Sequence, residues 1–167
     1  MPIAVMVYYS TIFGYGKEKF VNECVEAGVD GLVIPDLPYE EYDEIKPIID
    51  KTDLAMIPLI AITSNERIPM LVKEAKGFIY CVSSLGVTGE RKNFDKRVDE
   101  FIENVKKNTD VPVCVGFGIS KREDVERFEK TADGVIVGSA IVKTIFNEKM
   151  NIENIKGFVK GLNGCTN

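Results

Sequence analysis

The chain has 167 residues, 45% of them hydrophobic, which suits a soluble globular protein forming one domain over residues 1–167. Its 26 acidic residues exceed its 21 basic ones for a net charge of −5, and scattered charges of that balance give no footprint for nucleic acid or an anionic membrane surface. There is no histidine, so the usual zinc sites and Ser-His or Cys-His arrangements are excluded.

In chain order, residues 2–9 read as a buried strand, with no basic region before them of the kind that opens a signal peptide. A loop over 10–16 is expected next. Phe20, Cys24 and Val25 then fall at helical spacing, and Gly28 supplies the stop. Residues 31–38 read as a second strand, and a charged helix follows over 40–49. A third strand is expected over 54–62, then a helix opened by a capping box of Thr63 with Glu66. Phe78 to Val82 forms a fourth strand, and 83–93 is the longest break in the pattern. Phe94, Val98, Phe101, Ile102 and Val105 mark the clearest amphipathic helix.

Two similar pieces follow, Val113 to Ser120 and Gly134 to Ala140. Each is a β-branched run that breaks at small residues and opens into a helix, as buried parallel strands do. A capping box of Ser120 with Glu123 is expected to start the first of these helices. A final amphipathic face is carried by Ile152, Ile155, Phe158, Val159 and Leu162. Strand and helix thus alternate about six times with short connections, which predicts an α/β protein with a parallel sheet.

Gly116, Gly118 and Gly138 stand where strands turn into the next element. Either they only permit tight turns, or they let a phosphate approach backbone N–H groups at helix N-termini. Four dispersed cysteines without a C-x-x-C pair read as reduced thiols, which points to the cytoplasm. Acid–base chemistry would fall to a carboxylate, Tyr, Lys or Cys.

At Tyr8 to Phe13, Ala27 to Gly31, Pro35-Asp36-Leu37-Pro38, Gly86-Val87-Thr88-Gly89, Gly116 to Ser120 and Gly138 to Val142, the chain resembles the tryptophan synthase alpha subunit family. The resemblance covers nearly the whole chain. It implies a (β/α)₈ TIM barrel, here an incomplete one of about six βα units matching the family's strands 3 to 8. The implied reaction is cleavage of indole-3-glycerol phosphate to indole and glyceraldehyde 3-phosphate, a carbon–carbon lyase step in tryptophan biosynthesis. The implied partner is a beta chain, which carries the pyridoxal phosphate; no cofactor is implied for this chain.

The family's general acid–base glutamate and its indole-binding aspartate have no counterpart here, so no catalytic residue is assigned and the chain alone is expected to be impaired. By the same resemblance Gly116, Gly118, Gly138 and Ser139 would cradle the phosphate. Tyr80 would sit beside the glycerol phosphate, Tyr8 near the indole end, and Phe117 would add an apolar wall. Thr88 matches the threonine of the loop that closes over the site, and Ser10 replaces the usual asparagine that faces the beta subunit.

Read without the family, Tyr8 and Tyr80 serve equally as core aromatics, Asp36 as a turn residue, and Gly86 and Gly89 as loop punctuation. The rival readings are a non-catalytic module that binds phosphate or the beta subunit, and an enzyme of another phosphate-binding barrel family. The Gly-Val-Thr-Gly loop argues against the latter. Six open strands would also expose two edges, from which self-association is expected.

Overall fold

A computed structural model describes residues 1–82, 96–116 and 118–164. In chain order they form β1 (Ala4–Met6), α1 (Tyr9–Tyr15), α2 (Lys17–Glu26), β2 (Gly31–Val33), α3 (Lys46–Ile49), β3 (Ala55–Ile57), β4 (Leu59–Ala61), α4 (Ile68–Val72), β5 (Ile79–Val82), α5 (Lys96–Lys107), β6 (Val113–Gly116), α6 (Arg122–Phe128), β7 (Gly134–Ile136), α7 (Ser139–Asn147) and α8 (Ile152–Leu162). Short 3₁₀ segments, Tyr39–Glu44 and Ile62–Arg67, lead into α3 and α4. None of the described helices is long and apolar enough to cross a membrane.

Every strand pair is parallel, in the orders β1-β2-β3 and β4-β5-β6-β7. β3 and β4 are halves of the expected third strand, divided at Pro58, whose ring nitrogen has no proton to give to a ladder. The Pro58 carbonyl still accepts from the Tyr80 N–H at 3.0 Å, so the extended segment carries the sheet from β2 on one side to β5 on the other. Six rungs of sheet result, as the alternation predicts.

Side chains alternate across these rungs. Leu32 faces outward into one cluster with Ile12, Val21, Ile45 and Ile49. Ile60, Cys81, Val113 and Val115 face outward into a second with Phe101, Ile102, Val105 and Phe128. The intervening residues Val33, Ile57, Tyr80 and Val82 face inward and form a third cluster with Leu59 and Ile136 packed against it. A parallel sheet covered on both faces needs apolar residues at successive positions, which is why its strands read as continuous apolar runs. The α5 face is buried at Val98, Phe101, Ile102 and Val105, as their spacing predicts, and each such side chain contributes about 1.5–3 kcal/mol.

Asp30 and Asp133 perform the same task, each one residue before its strand, β2 and β7 respectively. The Asp30 carboxylate accepts from the Ile3 N–H at 2.6 Å while its own N–H donates to the Ile3 carbonyl at 2.8 Å. The Asp133 carboxylate accepts from the Val113 N–H at 2.9 Å, and its N–H donates to the Val113 carbonyl, also at 2.9 Å. Each pair starts a strand ladder and fixes its register.

Several local expectations are corrected. Strand β1 stops at Met6, and helix α1 occupies the stretch expected as a loop over 10–16. The cause is distant in sequence: the Asp36 carboxylate accepts from the Tyr9 N–H at 2.7 Å and so caps the helix start. Thr63 and Glu66 form no box, because 62–67 is 3₁₀ and α4 begins only at Ile68, with Pro69 in its first turn. The capping box of α6 sits one residue later than expected, with Lys121 at the N-cap and Asp124 reaching back, rather than Ser120 with Glu123. The Asp124 carboxylate accepts from the N–H groups of Ser120 at 2.9 Å and Lys121 at 3.1 Å.

Candidate functional site

The strands are parallel, so their C-terminal ends gather on one side of the sheet, where βα loops place the functional groups of such folds. Gly116 ends β6, paired on one side with Val82 of β5 and on the other with Ile136 of β7. The Tyr80 ring leans from the inward face of β5 across Gly116. A Cβ on Gly116 would stand 2.6 Å from Tyr80 Cζ, so only glycine fits under that ring. Tyr80 is buried, and desolvation pushes its phenol up from the ordinary tyrosine value. It therefore remains a neutral hydroxyl at physiological pH.

Beyond Gly116 the chain turns through Gly118, whose φ of +81° lies in the left-handed region that favours glycine. From the neighbouring strand, β7 exits to Gly138, the N-cap of α7, and Ser139 is the first residue of that helix. Its first turn has no side-chain cap, leaving the helix N-terminus to whatever approaches from outside. A Cβ on Gly118 or on Gly138 would meet nothing within 4 Å, so the space before both glycines is open. Backbone N–H groups, a hydroxyl and a helix dipole facing open space suit a phosphate or a similar anion.

The structure therefore brings Tyr80 and Gly116 into contact and sets Gly138 and Ser139 on the adjoining strand exit. Tyr8 lies apart from them, at the exit of β1, the other end of the strand order. It is the residue before α1 and is 63% exposed, which removes the core-aromatic reading for it. Thr88 and Phe117 lie outside the described residues, as do Gly86 and Gly89. Asp36, read as a turn residue, caps α1 instead. Among the described residues no group of three or more Cys, Asp and Glu could hold a metal ion.

A model of the family described as tryptophan synthase alpha chain matches residues 1–163. The tryptophan synthase alpha chain of Bacillus thuringiensis (strain Al Hakam) is 45% identical over 150 residues, covering 89% of this chain and 58% of that protein. That of Lachnospira eligens is 45% identical over 168 residues, covering 97% and 64%. The tryptophan synthase alpha subunit of Campylobacter jejuni superposes with a TM-score of 0.84 at 38% identity, covering 96% of this chain and 64% of that one. A chain from the tryptophan synthase a2b2 complex of Pyrococcus furiosus gives 0.88 at 35% identity, covering 98% and 67%. These neighbours are TIM barrels, and this chain forms an incomplete arc of the same parallel architecture. It spans 58–64% of the length of the curated relatives. Across that span, in sequence and in strand order alike, the chain belongs to the tryptophan synthase alpha chain family.

Proposed function

We propose that this chain supplies the phosphate-binding part of an indole-3-glycerol-phosphate lyase site in tryptophan biosynthesis. The observation that carries the reading is the joining of Gly116, Gly118, Gly138 and Ser139 on neighbouring strand exits, at the first turn of α7, in a member of this family.

The reaction requires a proton delivered to indole C3 and another taken from the glycerol hydroxyl on the carbon attached to the ring. The carbon–carbon bond then breaks, its electron pair returning to the indole as the hydroxyl carbon becomes an aldehyde. In this reading the chain binds and orients the substrate. Backbone N–H groups at Gly118 and Ser139, with the Ser139 hydroxyl, hold the phosphate, and the Tyr80 ring walls the glycerol. Tyr8 lies near the indole end, Phe117 adds an apolar wall, and Thr88 belongs to the loop over the site. The two acid–base carboxylates belong to the part of the family's barrel that this chain does not match, so the chain alone binds better than it turns over. Loss of a positioned acid–base group costs on the order of 10²–10⁴ in rate.

Membership also supports docking on a beta chain that carries pyridoxal phosphate, in the cytoplasm. A Pyrococcus furiosus neighbour comes from an a2b2 complex.

Calorimetric titration with glycerol 3-phosphate tests the binding half, and indole release tests the chemistry. Ser139→Asp, which sets a carboxylate against the phosphate, is expected to weaken glycerol 3-phosphate binding at least tenfold. Binding unchanged by that substitution overturns the site. Indole release by the chain alone at the rate of a full-length relative overturns the assignment of the acid–base groups to elements outside it.

A further inference from the structure

We propose that Asp124 is a positioning residue of the phosphate site: its carboxylate sits at the start of α6 as a built-in anion and confines the substrate's phosphate to the start of α7. The proposal rests on the phosphate reading above and adds to it a residue that repels the ligand.

The last two βα units are built alike. β6 and β7 are neighbours in parallel register, each is followed by an exposed glycine, Gly118 or Gly138, and each leads into a helix. The backbone alone does not decide which exit holds an anion. The side chains do. One Asp124 oxygen accepts from the Ser120 N–H at 2.9 Å, the Lys121 N–H at 3.1 Å and the Ser120 hydroxyl at 3.3 Å. The donors that follow Ile119 are therefore engaged within the protein. The first turn of α7, in contrast, has neither an acidic residue nor a side-chain cap.

The three donors to Asp124 are neutral, so the carboxylate keeps its charge. Glu123, the other acid of that turn, has the Lys121 ammonium 3.9 Å away to offset it. Chain reach limits how far the Asp124 charge can stand from the ligand. Two residues span at most about 7 Å, so the oxygen 2.9 Å from the Ser120 N–H lies within about 10 Å of the Gly118 N–H. That is about one Debye length at 0.1 M salt, so a phosphate on Gly118 is repelled, and more strongly as salt is removed. Moving towards α7 relieves the repulsion.

The effect on catalysis is uniform. Substrate and the glyceraldehyde 3-phosphate product carry the same phosphate, so both are held less tightly and bond breaking is untouched.

The test is calorimetric titration of the 167-residue chain with glycerol 3-phosphate, at low salt and at about 0.3 M sodium chloride. Asp124→Asn keeps an oxygen for the Ser120 and Lys121 N–H groups and removes the charge. It is expected to bind at least threefold more tightly than the parent at low salt, and the gain should largely vanish at high salt. Asp124→Gln compared with Asp124→Glu repeats the comparison at matched shape, should asparagine fail to fold by circular dichroism. Glu103→Gln, an equal change of net charge on an exposed part of α5, should leave the affinity unchanged. In the Asp124→Asn chain, Ser139→Asp should still weaken binding at least tenfold.

Neutral variants that bind no more tightly than their charged counterparts overturn the role of Asp124. So does a gain that ignores salt, or one matched by Glu103→Gln. Any of these, with parent binding still lost in Ser139→Asp, leaves the phosphate site standing and removes only this role. No binding by the parent or by any variant overturns both.

Discussion

The ring of Tyr80 lies across the backbone of Gly116, the last residue of the neighbouring strand, and leaves no room for a side chain there. Tyr80 is in register with Cys114, so the contact is diagonal, and the ring points towards the end of the sheet where the phosphate is proposed to bind. Gly116→Ala would drive a methyl group into a buried ring. Overpacking of this kind costs about 1–3 kcal/mol. Urea unfolding should show that loss, and Tyr80→Leu in the same chain should recover part of it. Additive losses in the double variant would mean that the two residues do not compete for one space.

Asp133 links the starts of β6 and β7 and pairs with Lys106 at 2.7 Å. The ion pair is about 40% exposed on each side and contributes little by itself. The bond to the Val113 N–H matters more, since Val113 is fully buried and its N–H would be left unsatisfied. Asp133→Ala should therefore cost about 1–3 kcal/mol in urea unfolding.

The Asp133 carboxyl is held below the ordinary aspartate value, first by Lys106 and then by the Val113 N–H. A depressed carboxyl stabilises the fold above its unfolded pKa, about 3.9, and that contribution is lost as pH falls through the lower folded value. The stability difference between the native chain and Asp133→Asn should be constant from pH 7 to 5 and shrink below about pH 4. A difference that grows on acidification would contradict this.

Arg127 of α6 grips Asp99 of α5 with both terminal nitrogens, one of them at 2.7 Å, in a partly buried setting. Lysine offers one point charge in place of a fork. Arg127→Lys is expected to cost about 0.5–1 kcal/mol, measured by urea unfolding. Added to Asp99→Asn it should cost almost nothing further, because the pair is already broken.

Cys81 is fully buried on the outward face of β5, and desolvation pushes its thiol up to about 12. Thiolate is the reactive form, so at pH 8 only about one molecule in 10⁴ carries it. Peptide mapping after iodoacetamide treatment should find Cys81 unlabelled in the native chain and labelled at least 1,000-fold faster in urea. Rapid native labelling would show that β5 opens locally.

Much of this arrangement was legible in the residues. Continuous apolar runs such as Val113 to Val115 announce strands covered on both faces, and the i, i+3, i+4, i+7 spacing of Val98, Phe101, Ile102 and Val105 announces a one-sided helix. The glycines at 116, 118 and 138 mark strand exits because each stands just after such a run. What escaped were contacts between residues far apart in the chain. Asp36 caps a helix 27 positions earlier, and Asp133, just ahead of β7, accepts from the Val113 N–H 20 positions back. Spacing rules describe neighbours along the chain and contain no term for such partners.

By itself the sequence determined the alternation of strand and helix, the parallel sense that short crossovers impose, and the family, since these follow from local periodicity and from motifs in a given order. Only the tertiary structure decided which face of each strand met which layer, that Tyr80 sits over Gly116 while Tyr8 stands exposed, and that apolar surface remains open along β1 and α7. Burial depends on what lies across a gap in space, and a ring over a neighbouring glycine or an exposed side chain at a strand exit becomes visible only once the sheet is built.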